Sequence, residues 1–495
     1  MKILSLKEIS DHRFDDYLTD ESRLTGNADW IAFPENEEDV REALGFVRDR
    51  GVTVTISGAR TGIAGGAVPE GGLLLSLEKI NRILEIGKED EGDYYAIVEP
   101  GLLLVDLKER LSDESLFYPP DPTEKTASIG GTVACDASGS LSFGYGSTRK
   151  YIRGLRIMLS SGDIMDLKRG QYCANEEGII RFFLNGKALS FQRPRYPWPE
   201  IKNVAGYFTR PGMDLMDLFI GSEGSLGIIT RIELKLLPAP PLVAGIMLYL
   251  PSLEKALGVV NVCRNHPEFR PDAMEYFGHR SVELLSEARE EAGESSEIPA
   301  IPEKAKVIVY LEKLFYDEDA MDNFILHLEE VMNRFELSPD DTWAELDPSG
   351  VSKMHDFRHA LPETLNTIVG RIKTEHPSIT KLGTDFAVPR EKLSDLLNLY
   401  EEHYSRYGLA WVSFGHIGDN HVHSNVIPRN EEEYENGNRA IREIALKVVK
   451  MGGTVSAEHG TGKLKKHLLE IMIGENGMNE MMRVKRIFDP GLILS

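Results

Sequence analysis

Only three cysteines, Cys135, Cys173 and Cys263, occur among the 495 residues. They lie too far apart for a CxxC or ferredoxin-like run, so the chain has neither a disulfide framework nor an iron–sulfur site of its own. Positive charge is scarce as well: 56 Lys and Arg against 79 Asp and Glu leave a formal net charge of -23. A phosphate backbone is bound through an excess of Lys and Arg, which argues against a nucleic-acid partner. An anionic substrate would need a local cationic pocket inside a repulsive field. Long apolar runs are missing too. The longest, near "LVAGIMLYL", is far short of the roughly 20 residues of a membrane span. The start, "MKILSLKEISDHRFDDYL", has early acidic residues and no long apolar core. It reads as an amphipathic first helix, not a signal peptide. The expectation is a cytoplasmic protein without an integral membrane segment.

What is present is an ordinary globular composition, 41% hydrophobic and 27% charged, with 45 glycines. The length allows two or three domains. "VREALGFVRDRG" has helical periodicity and stops at Gly51, "VTVTIS" and "LLLSL" read as strands, and "GLRIMLSSGDIMDL" reads as a hairpin about a Ser-Gly-Asp turn. A proline cluster in "LKLLPAPPLVAG" marks a boundary near residue 240, and from about Gly437 the chain is mainly helical.

Three glycine-rich elements punctuate the first half. "SGARTGIAGGAVP" (Ser57 to Pro69) follows a strand directly, and its glycines let backbone N–H groups approach an anion. It is neither a GxGxxG Rossmann turn nor a Walker A loop. "PPDPTEKTASIGGTVACDASGSLSFGYG" (Pro119 to Gly146) leads from a Pro-rich turn into small residues, as backbone lying flat against a planar group would require. "LFIGSEGSLGIITRIEL" (Leu218 to Leu234) is again Gly-rich and runs into a strand. Each alone has a bland reading as a tight connection; three in order do not.

Together with "IKNVAGY" (Ile201 to Tyr207), these elements resemble the flavin-binding signature of the vanillyl-alcohol-oxidase/PCMH-type FAD family. The resemblance is to its D-2-hydroxyacid dehydrogenase branch, which includes D-lactate dehydrogenases, the glycolate oxidase catalytic subunit and D-2-hydroxyglutarate dehydrogenase. It implies an α+β fold: a PCMH-type two-subdomain FAD-binding domain over residues 1–240, an α+β substrate (cap) domain on an antiparallel sheet over 241–436, and a C-terminal helical segment, 437–495, returning to the FAD domain. The family pattern places the FAD pyrophosphate on Ser57, Gly58, Ala59, Arg60, Thr61 and Gly62. Further flavin contacts would come from Pro120, Asp121, Thr126, Gly130, Gly131, Ala134, Ser138, Gly139, Tyr145, Gly146, Glu223, Gly227 and Ile228. Arg60 stands where most relatives carry Gly; it could pair with a phosphate or turn outward. "SGARTG" offers no His or Cys for a covalent tether, so the FAD is expected to be non-covalent.

In "WVSFGHIGDNHVHSN" (Trp411 to Asn425) three histidines fall within eight positions. A four-residue hairpin loop would set His416 opposite His423, with Cβ atoms about 5 Å apart, close enough for two imidazoles on one metal. A two-residue turn would set His416 opposite His421, and sequence leaves that register open. "VSAEHGTGK" supplies a carboxylate, Glu458, followed by His459. Both stretches resemble family motifs, "HxGDGNxH" and "EHGxG". The resemblance implies a divalent metal, typically zinc, on His416, His423 and Glu458, with His459 as general base. Relatives usually carry Gly and Asn at the positions of Asn420 and His421, so His421 adds an alternative ligand or a contact to substrate. Arg358 in "HDFRHALPE" resembles the family's substrate arginine, and Lys381 in "TKLGTDFAVP" is a second candidate charge.

The implied reaction is oxidation of a D-2-hydroxy acid to the 2-keto acid by metal-assisted proton abstraction and hydride transfer to flavin N5. The electron acceptor would be an electron-transferring flavoprotein, a quinone, a cytochrome or a separate iron–sulfur subunit, and the chain a homodimer or a complex subunit. The alternatives are an FAD-dependent alcohol or sugar oxidase of the same superfamily and a non-catalytic flavoprotein subunit of a redox complex. Intact His/Glu motifs argue against both.

Overall fold

The computed structural model describes every residue except 9–11, 91, 267–268, 294–295 and 297. The chain divides into two compact units. One comprises Met1–Gly139, Gly146–Ala239 and Ser456–Ser495, and the other Ser140–Tyr145 and Pro240–Val455.

Among the described residues the first unit contains three sheets, one of them the two-stranded antiparallel pair Ile179–Leu184 and Lys187–Gln192. Four strands lie in the order Ile3–Ser5, Trp30–Ala32, Leu73–Ser76, Val54–Ser57, the first pair antiparallel and the other two pairs parallel. The helix Glu37–Arg50 starts where Asn36 accepts the Glu38 and Asp39 amides, and it stops at Gly51 in the left-handed conformation (φ 64°). Its Val40, Leu44 and Val47 pack with Val54, Leu73, Leu75 and Ile228 into one core. Another sheet is six-stranded and antiparallel: Leu116–Phe117 pairs with the end of Ile228–Pro238, and the main order is Ile83–Lys88, Tyr94–Val98, Ile228–Pro238, Ile152–Met158 and Ile164–Lys168. Its last two strands are the expected hairpin.

The N-terminal stretch is not the amphipathic helix its pattern predicts. Ile3–Ser5 pairs as a strand with Trp30–Ala32, and 3-10 turns follow at Leu6–Glu8 and Asp15–Tyr17, with part of the predicted helix in residues outside those described. Sheet pairing overrides a weak local periodicity there.

The C-terminal residues close the first sheet. Val54 N–H donates to Ile493 O at 2.7 Å and Ser495 N–H to Val54 O at 3.0 Å. Lys485 Nζ, nearly buried, donates to Asp489 Oδ2 at 2.6 Å and to the Ser225 and Leu494 carbonyls at 2.7 Å.

The second unit is built on a seven-stranded antiparallel sheet. The order is Thr342–Glu345, Leu242–Leu250, Val307–Phe315, Ala273–Phe277, Trp411–Gly415, His423–Val426, Leu382–Gly383. The long helix Pro348–Glu375, capped by Asp347, packs on Leu242–Leu250 and buries Met354, Phe357, Leu361 and Leu365. The helix Glu431–Lys450 runs through the boundary expected at 436/437. Gly437 does not begin a new segment: a Cβ there would lie 2.7 Å from Leu382 Cδ1, so this glycine lets the helix approach the sheet edge. The units accordingly divide at 455/456. Among the described residues no helix is long and apolar enough to cross a membrane.

Candidate active site

A cavity of about 320 Å³ opens in the first unit, within the range of cofactor sites. Gly58, Ala59, Arg60, Thr61 and Gly62 line it, as do Gly130, Gly131, Ala134, Ser138, Gly139, Glu223 and Gly227. The loop after Val54–Ser57 lies against the start of a helix, Ile129–Cys135, whose cap Ser128 accepts the Gly131 amide at 3.2 Å. A Cβ at Gly58 would sit 2.3 Å from Ser128 Oγ, so only glycine permits this closeness. The other candidates stand back from the cavity. Ser57 is buried at the end of its strand, and Ile228 lies in the core. Asp121 is held by Lys108 at 2.5 Å, and the Thr126 hydroxyl donates to Glu124 at 2.6 Å. Pro120 is buried and Gly146 takes a turn conformation (φ 90°), while Tyr145 belongs to the second unit.

Arg60 adopts the left-handed conformation (φ 62°) that favours glycine. Its guanidinium lies 4.2 Å from the Tyr17 ring centre, 3.3 Å from Gly58 O and 3.7 Å from Glu78 Oε2. It thus borders the cavity while anchored to neighbours of its own unit. Cys135 also lines the cavity. Burial, then the Glu223 and Asp136 carboxylates, push its thiol up to about 12, which leaves little thiolate to attack a ring.

Glu458 and His459 form part of the same cavity wall. The loop that carries them is held by Glu223. Its Oε1 accepts the Thr461 amide at 2.8 Å and the Thr461 hydroxyl at 2.9 Å, and its Oε2 accepts the Gly462 amide at 2.7 Å. Gly460 (φ 76°) fits because a Cβ would be 3.0 Å from the Glu223 carboxyl carbon. Glu458 Oε2 accepts from Lys202 Nζ at 2.6 Å and Ser138 Oγ at 3.0 Å, and His459 Nε2 lies 3.4 Å from Glu458 Oε1. The His459 side chain keeps 26% of its surface exposed, so it can exchange a proton with a ligand in the cavity.

In the second unit Phe414 pairs with His423, the register in which His416 opposes His421. The loop between them is a single 3-10 turn, Ile417–Asp419, closed by Asn420 at φ 54°, and the His421 amide donates to His416 O at 3.2 Å. Arg264 clamps the turn through Asn420 Oδ1 at 2.7 Å and the Ile417 carbonyl. Burial, with Arg390 nearby, lowers Arg264 to about 10, so it stays cationic at neutral pH. Ser142 donates to Asp419 at 2.6 Å.

The three histidines are buried, and one nitrogen from each lies within 4.8 Å of the others. His416 Nδ1 meets Glu275 Oε1 at 2.7 Å, His423 Nδ1 donates to Thr384 O at 2.9 Å, and His421 Nε2 lies 2.9 Å from Asp385 Oδ1. A ring whose one nitrogen is held by an acceptor offers the other to a metal in a fixed orientation. The donor set therefore suits a divalent cation. Arg358, on the long helix, joins the cluster through Glu275 at 3.3 Å, with its guanidinium 5.7 Å from the Tyr310 ring centre. Lys381 is exposed, with Nζ 3.5 Å from Asn366 Oδ1.

Sequence reasoning missed Glu275, Asp385, Arg264 and Lys202. Glu275 left a signal, a single acid in the otherwise apolar strand "AMEYF", where a buried charge demands a partner.

The model for the C-terminal domain of FAD-linked oxidases matches residues 239–495, just over half of the chain, and the FAD binding domain model matches 28–168. The chain is 29% identical to a D-lactate dehydrogenase of Anaerostipes hadrus, over 98% of this chain and 93% of that one. It is 28% identical to glycolate oxidase subunit GlcD of Bacillus subtilis, over 94% and 88%. It is 27% identical to a D-2-hydroxyglutarate dehydrogenase of Xanthomonas citri pv. viticola, over 96% and 89%. Among solved structures, an alkyldihydroxyacetonephosphate synthase superposes with a TM-score of 0.63 at 14% identity, over 95% of this chain and 76% of that one, a likeness of fold.

Proposed function

The chain belongs to the FAD-linked oxidases and is an FAD-dependent oxidoreductase of the D-2-hydroxyacid dehydrogenase branch; we propose that it oxidises a small D-2-hydroxy acid to the 2-keto acid. The observation that carries this reading is His459 on the wall of the glycine-lined cavity, beside Glu458. When bound, FAD supplies the hydride acceptor, and a divalent cation polarises the substrate hydroxyl.

The chain's own residues do the rest. Glycine backbone at 58, 62, 130 and 131 admits the cofactor, and the protonated Cys135 thiol supports non-covalent attachment. His416 and His423 hold the cation, with Glu458 the further ligand that the family pattern implies. His459 takes the hydroxyl proton as general base, a task for which an imidazole's ordinary pKa of about 6.5 is suited. Arg358 offers its guanidinium to the substrate carboxylate, while Glu275 keeps it in place. His421 and Lys381 are secondary candidates for substrate contact. The likeness to relatives whose names specify lactate, glycolate and 2-hydroxyglutarate supports a 2-hydroxy acid and leaves its side chain open. The electrons would leave the flavin for an external acceptor.

The test is anaerobic mixing of the FAD-loaded, metal-loaded protein with a panel of D-2-hydroxy acids, with and without EDTA. Bleaching of the flavin absorbance by at least one D-acid, abolished by EDTA, is expected. No bleaching by any acid in the panel would refute the assignment. His459→Ala should keep its yellow flavin and lose reduction by substrate; loss of FAD binding would instead mark His459 as structural.

A further inference from the structure

His421 is the one hairpin histidine for which the family pattern has no role. It is fully buried, its ring centre 4.3 Å from that of His423 and 5.3 Å from that of His416. Two backbone contacts fix its place: its amide donates to His416 O, and its residue bridges antiparallel to Ala387. Its Nε2 lies at ion-pair distance, 2.9 Å, from Asp385 Oδ1. Asp385 is itself 1% exposed. A solvated polar loop would not bury three imidazoles with two carboxylates behind them, since buried charge demands compensation.

Glu458 Oε2 accepts from Lys202 and Ser138 within its own unit. We propose that this chain binds its divalent cation through three imidazoles, one nitrogen each from His416, His421 and His423, so that retention of the ion depends on His421. The inference rests on the reading above that the hairpin holds a cation. Three nitrogen donors favour ions such as Zn²⁺, Co²⁺ and Ni²⁺ over the oxygen-seeking Mg²⁺ and Mn²⁺.

The experiment uses the full chain with FAD, stripped of metal by a chelator and titrated with Co²⁺ and Zn²⁺ alone. His421→Asn, which installs the residue usual in the family, should weaken both ions by about 10-fold or more and change the Co²⁺ visible bands, because a ligand is lost. Equal affinity and an unchanged spectrum in His421→Asn would overturn the three-imidazole site and leave the hairpin reading standing. Failure of the wild type to bind any of these ions would sink both. Should His421→Asn not fold, the number of imidazole nitrogens coupled to Cu²⁺ in the wild-type spin-resonance spectrum decides, three in favour and two against.

Discussion

Replacing Glu223 by Gln isolates what holds the Glu458–His459 loop in place. Glu223 has one carboxylate oxygen on the Gly462 amide and the other on the amide and hydroxyl of Thr461. A glutamine of the same size keeps only one acceptor oxygen. Whichever way its amide turns, an NH₂ group faces a backbone N–H, and at least one donor loses its partner. An unsatisfied buried donor costs about 1–3 kcal/mol, and the surviving bonds weaken from charge-assisted to neutral. A local loss of about 2 kcal/mol corresponds to about 30-fold in the opening equilibrium of the loop. Hydrogen exchange followed by mass spectrometry on a peptide spanning residues 456–464 reads this directly. The expected outcome is about 30-fold faster exchange there, with protection elsewhere unchanged and FAD retained. Substrate reduction of the flavin should slow in parallel, because a base on a mobile loop spends less time in register. Unchanged protection in that peptide would refute the role assigned to Glu223, whatever happened to activity.

Two further predictions concern the first unit. Asp489→Asn leaves the nearly buried Lys485 ammonium without its counter-charge, and breaking such a pair costs about 3–5 kcal/mol. Calorimetry should show the melting temperature falling by several degrees, and a shift under about 1 °C would count against the C-terminal clasp. Glu37 titrates below the usual carboxylate range: burial opposes its ionisation, but hydrogen bonds from Arg156 and Thr230, both at 2.6 Å, outweigh that. A depressed folded pKa contributes stability above the unfolded value of about 4.3 and loses it as pH falls through the folded one. Glu37→Gln should therefore melt below the wild type at pH 7, with the gap closing towards pH 3, and a gap that widens in acid would contradict the sign.

The glycine loops were legible in the sequence because their chemistry is local. Gly58, Gly130 and Gly131 do border a cavity, and the run of small residues around them has the closeness it implied. The hairpin's existence was legible for the same reason, while its register was not. The register depends on a 3-10 turn whose clamp, Arg264, comes from a helix more than 150 residues earlier. Glu275 lies 141 residues from His416 in sequence, and Lys202 lies 256 from Glu458. No periodicity links such pairs; sheet order and packing bring them together. The N-terminal helix failed on the same ground, since its fate was decided by an edge strand that local pattern does not see.

The three departures from the family pattern have two different physical origins. Arg60 and Asn420 both occupy left-handed backbone positions, φ 62° and 54°, where the family pattern has glycine. A non-glycine residue there costs about 1–2 kcal/mol, somewhat less for Asn. Each has a side-chain anchor that offsets the cost, Arg60 on Tyr17 and Glu78, Asn420 on Arg264. These two changes are backbone accommodations and need no new chemistry. His421 is different. Its backbone bridges to Ala387 like an ordinary strand residue, so conformation gives no reason for exchanging Asn for His. The exchange adds a second ring nitrogen within reach of two other imidazoles and sets Asp385 behind the first. Exchanging an amide for an imidazole adds a nitrogen donor among two other imidazoles, so of the three departures the one at His421 is the one that would bear on a metal.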